Sequence, residues 1–348
     1  MTSDRSVSFD VVGTGFTVLD RIYTDGDLAG EALGGSCGNV LLSLAMLERR
    51  VAPLLLLGLD TTGERLLGEF KRAGADVRYI NRRRDVRSPI LTQDLDTSSG
   101  RHSFSFVCRE TNVRFPNYQP IRDDDVASAG HALSACSVFY ADRLSSGVLQ
   151  AMRQAHATGA IIYFEPSVKD DPLFDDALPL ATILKYSSDR LGDEKGEAIV
   201  ASGVISIVTH GSAGLEIRRG RSSLRCEAAP VDYVTDACGS GDMVSVGLID
   251  WLLSRAPVGR DLSTYDVLEG VRAGQRLAAA NCAFAGARGL FHHLGVAHAR
   301  RILSSHRQEP LLGSEELAYG HSGTPELAAD FHEQCAEHVS PHPVDLTP

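Results

Sequence analysis

The chain has 348 residues, 43% hydrophobic and 23% charged, an ordinary balance for a globular protein and length enough to bury a substantial core. Thirty-three glycines against 6% aromatics favour an α/β protein with many tight turns over a coiled coil or a fibre. A net charge of −11 argues against a broadly basic surface, so no nucleic-acid partner is expected.

Seven cysteines, an odd number without C-x-x-C spacing, argue against a disulfide framework or zinc ribbon and for a reduced, cytoplasmic protein. The N-terminal run MTSDRSVSFDVVG has no basic head followed by an apolar stretch, so no signal peptide is read. The apolar run Leu54-Leu55-Leu56-Leu57 is too short to span a bilayer, and no membrane partner is expected.

In chain order, residues 9–13 read as a buried strand ending in Gly13-Thr14-Gly15, and 16–23 as a second extended piece carrying Asp20. Gly34-Gly35-Ser36-Cys37-Gly38 opens a helical run over 39–50, with Val40, Leu41, Leu44, Ala45 and Leu47 at helical spacing. Residues 51–57 read as one buried strand, and 62–73 as an amphipathic helix closed by Gly74. The alternating segments 90–96 and 102–108 flank Ser98-Ser99-Gly100 and predict a hairpin. Just before it, Arg82-Arg83-Arg84 and Arg87 form a basic run, read as a solvated loop; the sharper alternative is an anionic acceptor contacted by Arg87 or Arg109.

From 137 the pattern alternates strand and helix (137–140, 147–156, 161–164, 182–186, 194–201, 204–208), which predicts a parallel sheet with helices on its faces. A polar hairpin over 214–228 interrupts it, and 231–234 read as a strand end. Helices are expected over 240–254, 264–285 and 296–304. The tail over 305–348 holds eight acids, one Arg and five His, carrying −7 of the total charge; a loose, acidic, His-containing extension with one short helix near 325–338 is expected. His332, Cys335 and His338 share helical spacing but lack a fourth ligand, so no metal is assigned to them.

The strongest chemical signal is Thr235-Asp236-Ala237-Cys238-Gly239-Ser240-Gly241-Asp242, directly before an apolar helix. Glycines allow close backbone approach, and amides at a helix start form an anion site. Asp242 would repel a phosphate there, but it makes sense as the base for a hydroxyl beside that phosphate. The plainer reading is a turn whose acid favours the helix dipole. Gly34-Gly35-x-x-x-Asn39 is either a ligand-binding turn or a glycine turn with a helix-start Asn. Asp20 is either a ligand or an edge-strand charge. Thr209-His210-Gly211-Ser212-Ala213-Gly214 follows a buried strand, where ligands gather in parallel sheets. Gly63 to Gly68 mimics a phosphate-loop frame, but Glu69 stands where Lys is required.

Three stretches in this order, Gly13-x-Gly15-x-x-x-x-Asp20, Gly34-Gly35-x-x-x-Asn39 and Asp236-x-x-Gly239-x-Gly241-Asp242, resemble the ribokinase-like (PfkB) family of small-molecule kinases over roughly residues 8–304. The family's last motif usually reads Asp-Thr-Thr-Gly-Ala-Gly-Asp; Ala237, Cys238 and Ser240 are small replacements. The resemblance implies a three-layer α/β/α sandwich with a mainly parallel central sheet, in a kinase domain over 1–304 with a small β-lid from about 16–33 and 88–110. It implies transfer from ATP to a hydroxyl of a sugar-like acceptor, with magnesium and, as an option, a monovalent cation as cofactors. Asp242 would be the base, and Gly239, Ser240, Gly241 and Asp242 the anion hole. Asp20, Gly34, Gly35 and Asn39, with Arg109, would bind the acceptor. Thr209, Gly211, Gly214, Asp236 and Asn281 would sit on the nucleotide side. A homodimer paired through the lid is one option.

The sequence departs from the family where Asn-x-x-Glu usually organises magnesium: the run is Ser187-Ser188-Asp189-Arg190. No metal ligand is assigned: Asp189 is one candidate substitute, and the alternative is that Arg190 offers a positive charge to the phosphates. Glu165-Pro166-Ser167 stands where similar proteins carry Asp or Asn before Pro. Two other readings stay open: a catalytically weakened regulatory ligand-binding protein on a kinase scaffold, and a nucleoside kinase of the same family.

Overall fold

The computed structural model describes residues 9–305 and Leu312, apart from 97–100, 168–169, 191–194, 232 and 256–260. The first half contains β1 (Phe9–Thr14), β2 (Val18–Thr24), β3 (Asp27–Gly34), α1 (Ser36–Met46), β4 (Val51–Pro53), β5 (Leu55–Gly58), α2 (Thr61–Arg72), β6 (Ile80–Arg83), β7 (Ile90–Asp96) and β8 (Arg101–Ser105). The alternating part follows as α3 (Asp123–Ser128), α4 (Gly130–Ser134), β9 (Cys136–Ala141), α5 (Ser146–Ala157), β10 (Ile161–Phe164), α6 (Phe174–Ala177), β11 (Ile183–Ser187), α7 (Gly196–Ser202) and β12 (Ile205–Thr209). Then come β13 (Leu215–Arg219), β14 (Ser222–Cys226), α8 (Ser240–Leu253), α9 (Thr264–Asn281) and α10 (Gly289–Ser304).

Eight strands form the main sheet in the order β14-β13-β12-β11-β10-β9-β1-β4. Strands β4 to β12 along that order run parallel, and β13 and β14 are antiparallel. The polar hairpin therefore extends the sheet at its edge instead of interrupting it. Strand β10 shows why helices cover both faces. Ile161 and Tyr163 belong to one buried core with Leu248 of α8 and Val271 of α9. Ile162 and Phe164 belong to the other, with Val148 and Met152 of α5. A strand apolar on both faces requires a helical layer on each, and the three-layer sandwich follows. A second sheet, β3-β2-β7-β8, stands apart from the first. It places Asp20 opposite Ala32 of β3 and Leu91 of β7, so this carboxylate lies on an inner strand and not on an edge.

Several expectations are corrected. Residues 51–57 are two strands: β4 ends at Pro53, which has no N–H to continue a ladder. Leu54 N then donates to Gly13 O at 2.8 Å, and β5 pairs with β6. The basic run is partly that strand β6. Arg82 is paired with Glu64, and Arg83 with Asp124 and Asp125. No strand forms over 231–234 among the described residues. The chain there crosses from the sheet edge to α8, and Thr235 N and Asp236 N donate to Cys282 O at 2.7 and 3.1 Å. Helix α9 ends at Asn281, and α10 begins earlier than expected, with a break at Gly295 (φ 77°). The hairpin turn at Ser98-Ser99-Gly100, the helix expected near 325–338 and the His332, Cys335 and His338 set lie outside the described residues. Among the described residues, no helix is long and apolar enough to cross a membrane.

Helices α8 and α9 approach closely because both carry glycine at the crossing. A Cβ on Gly247 would lie 2.3 Å from Gly274 Cα, and one on Gly274 would lie 2.4 Å from Val244 O. Backbone cannot yield as a flexible side chain does. Gly274→Ala is expected to destabilise the fold by about 1–3 kcal/mol, read as a lower urea midpoint with an unchanged m-value.

Candidate active site

At the carboxyl ends of the parallel strands lies a cavity of about 540 Å³, lined from the main sheet, the second sheet and the start of α8. Its floor is the turn before α8. Gly239 caps the helix at φ 71°, and a Cβ there would lie 2.4 Å from Ala287 Cβ, so glycine is required both by conformation and by space. Thr235 Oγ1 donates to Ala283 O at 2.9 Å. Asp236, 1% exposed, accepts from Cys238 N at 2.8 Å and Gly286 N at 2.9 Å. The expected nucleotide contact at Asp236 is therefore corrected: both its oxygens brace the turn from behind. Ser240 N is also spent, donating to Ala237 O at 3.2 Å. The amides of Gly239, Gly241 and Asp242 have no acceptor among the described residues, as expected for the start of a helix. The open amides of the expected anion hole are thus these three; that of Ser240 is spent within the turn.

Asp242 lines the cavity and accepts a hydrogen bond from Asn39 Nδ2 at 2.7 Å. Asn39 lies in the first turns of α1, whose cap Gly35 has φ 80°; a Cβ at Gly35 would lie 2.4 Å from Phe16 O. The amide of Asn39 is oriented from the other side, because its Oδ1 accepts from Arg288 Nη1, while Arg288 Nη2 donates to Leu33 O. Arg288 is 3% exposed. Asp20 also lines the cavity, and its Oδ1 has no hydrogen-bond partner. Gly34 makes room for it: a Cβ there would fall 1.8 Å from Asp20 Oδ2. Gly34 is therefore permissive and does not itself line the cavity.

Burial raises both carboxyl pKa values to about 7. For Asp242 the negative Glu165 adds to burial, against the Asn39 hydrogen bond and Lys185. For Asp20, Arg288 opposes burial, while Asp242 and Glu69 reinforce it. Asp142 is raised to about 6, again by burial first, opposed by Arg143. Its oxygens accept from Phe16 N and Cys37 N at 2.8 and 2.9 Å.

Four cavity residues were missed as site residues or only partly read. Lys185 of β11, 2% exposed, is ion-paired with Glu165 at the end of β10. Glu165 Oε2 also accepts from Ser245 Oγ at 2.9 Å and Tyr140 OH at 3.2 Å. Arg143, just past β9, and Arg190, just past β11, line the cavity too. The available signal was a charge inside or just beyond an apolar parallel strand.

Thr209 lines the cavity beside Ser187 and Arg190. Other expected site residues do not. Gly211 opens a short exposed turn after β12. Gly214 is pinned against the end of β14, where a Cβ would lie 2.3 Å from Cys226 O. Asn281 is fully buried and spends its amide on Gly286 O and Leu290 N at 3.2 and 3.0 Å, which corrects its expected place beside a base. Arg109 is paired with Asp94 and lies 4.6 Å over the Tyr23 ring, outside the cavity lining. Arg87 has its Nε 3.9 Å from Asp60 Oδ2.

The described residues do not fit a protein-held magnesium ion. Asp189 accepts from Ser187 Oγ and lies outside the cavity lining. Arg190, a cation, occupies the neighbouring wall. No group of three or more acidic, His or Cys side chains among the described residues could hold a metal.

The family model for pfkB family carbohydrate kinases matches residues 29–292. A fructokinase of Vibrio alginolyticus is 24% identical over 261 residues, covering 70% of this chain and 84% of its own. A 2-dehydro-3-deoxygluconokinase of Bacillus subtilis is 23% identical over 242 residues, covering 64% and 75%. The structure of a fructokinase with bound ATP from Xylella fastidiosa superposes with a TM-score of 0.68 at 18% identity, over 85% of this chain and 99% of that one. With a family model matched across most of the sandwich and ribokinase-like architecture around the cleft, the chain belongs to the pfkB family of carbohydrate kinases.

Proposed function

We propose that this kinase transfers the γ-phosphoryl group of ATP to a hydroxyl of a carbohydrate-like acceptor, with Asp242 as the base. The observation that carries the reading is the Asp242 carboxylate beside the open amides of Gly239, Gly241 and Asp242, held by Asn39 at 2.7 Å. The acceptor O–H gives its proton to Asp242 as its oxygen bonds to the γ-phosphorus. The bond from that phosphorus to the bridging oxygen breaks, and ADP leaves with the electron pair. The amides face the charge spread over the transferring group, so electrostatic positioning does most of the work. A carboxyl raised to about 7 is a stronger base than a free aspartate, and about half of it is ionised at pH 7.

Asp20 and Asn39 suit the acceptor's hydroxyls, with Gly35 allowing close approach. Ser187, Arg190 and Thr209 form the nucleotide side, where Arg190 is a phosphate partner and magnesium arrives as part of the nucleotide substrate. The sheet β3-β2-β7-β8 acts as a lid, carrying Asp20, Leu91, His102 and Phe104 to the cavity. Closing it excludes water as a competing phosphoryl acceptor.

Asp242→Asn is expected to lower kcat by about 10²–10⁴-fold, with little change in the dissociation constant of ATP; full turnover in a clean preparation would refute the assignment. In wild type, kcat should rise with pH through about 7 as Asp242 loses its proton, and a flat profile between pH 5 and about 8 would contradict the assignment. Stability should run the other way. Asp20, Asp142 and Asp242 have folded pKa values raised above 3.8, so the native state binds protons more tightly than the unfolded chain. Their contribution is full below pH 3.8 and is lost as pH rises through about 6 to 7. Denaturant titrations of the ligand-free protein at pH 5.5 and 7.5, about either side of that window, should show the higher stability at the lower pH.

A further inference from the structure

We infer that the acceptor carries an anionic oxygen group, a carboxylate or a phosphate, at the end opposite its reacting hydroxyl, and that Arg143 binds it. This deepens the kinase reading and rests on it. Arg143 lines the cavity with 23% of its side chain exposed, so most of a permanent charge is removed from water. Its guanidinium lies 4.7 Å over the Phe16 ring, and Nη1 donates to Asp142 O at 2.9 Å. These contacts fix the plane of the fork and leave part of its donor set open.

Asp142 forms only a loose ion pair with this fork. Each of its oxygens already accepts a backbone amide, from Phe16 and Cys37, and Arg143 Nη1 is 3.6 Å from Oδ2, beyond a good hydrogen bond. Nε and Nη2 of Arg143 have no hydrogen-bond partner among the described residues. A planar, half-buried guanidinium with donors left over matches two oxygens of a carboxylate or phosphate.

Position separates this charge from the nucleotide. Phe16, Arg143, Glu165, Arg190 and Thr209 follow or end β1, β9, β10, β11 and β12, neighbours in that order across the sheet. Arg143 therefore stands at the Phe16 end and Arg190 at the far end, with the Lys185–Glu165 pair between them. The carboxylates of Asp20 and Asp242 would repel an anion placed on them, so the charged group must point away from the reacting hydroxyl. Arg109 and Arg87, the sequence's own candidates for an anionic acceptor, lie outside the cavity lining, Arg109 paired with Asp94 and Arg87 beside Asp60.

The test compares kcat/KM for D-fructose (neutral), D-gluconate (carboxylate) and D-fructose 6-phosphate (phosphate) in wild type, Arg143→Met and Arg143→Lys. Thermal-shift binding of the same compounds is run alongside. The anionic compounds bring opposite anion sources, and one of them should exceed fructose by about 100-fold or more in wild type, as a site built for a polar group rejects an analogue lacking it. Arg143→Met should collapse that ratio to about 3-fold or less, with the loss in acceptor KM. Arg143→Lys should retain an intermediate ratio, because one ammonium cannot hold two oxygens as a fork does. Fructose equal to or better than both anions in turnover and in binding overturns the proposal and leaves the kinase reading standing. So does an anion preference that survives Arg143→Met, or a loss confined to the KM of MgATP. Anion-selective binding abolished by Arg143→Met, without ADP formation from any acceptor, keeps the subsite and counts against the kinase reading itself.

Discussion

The constraint on which the site depends is a single run of hydrogen bonds through the interior: Leu33 O and Asn39 Oδ1 share Arg288, and Asn39 Nδ2 reaches Asp242. Each link removes a freedom from the next. Arg288 can only donate, so it turns the oxygen of Asn39 towards itself. The amide nitrogen then has to face Asp242, and the carboxylate oxygen is held at the start of α8. The run ties the second sheet, α1 and the loop before α10 to one atom. Buried donors and acceptors left unmatched would cost more than these bonds contribute, which makes the arrangement specific.

The same economy of contact explains the rest of the floor. Asp236 braces the turn from behind with two amides, and Gly239 lets the turn pack against Ala287. Three amides are thereby left without an acceptor, in front of a helix whose own dipole favours an anion. Burial that would otherwise be a liability serves the proposed chemistry, because it lifts Asp242 towards neutrality without a positive partner in direct contact. Lys185, the nearest candidate for such a partner, is held by Glu165.

Much of this was legible in the residues. The strand–helix rhythm, the second sheet and Gly239-Ser240-Gly241-Asp242 are local patterns, and the structure keeps them. What sequence reading missed depends on tertiary placement. Arg288, Arg143 and Lys185 are single charges without a local motif; the sheet order brings Arg143 and Lys185 to one cleft, and the loop before α10 sets Arg288 behind Asn39. Asp236 and Asn281 sit in suggestive positions, but their polar atoms are spent on neighbouring backbone. Residues 51–57 look like one strand because apolarity does not report that Pro53 ends a ladder. Asp20 reads as an edge charge until β7 is seen pairing on its other side.

The most direct measurement is a crystal structure with ADP, aluminium fluoride and an accepted substrate, since that mimic occupies the position of the transferring group. The planar fluoride should lie against the amides of Gly239, Gly241 and Asp242, with the acceptor hydroxyl in line and within hydrogen-bond reach of the Asp242 carboxylate. A fluoride bound away from that turn, or a hydroxyl facing another base, would contradict the proposed mechanism.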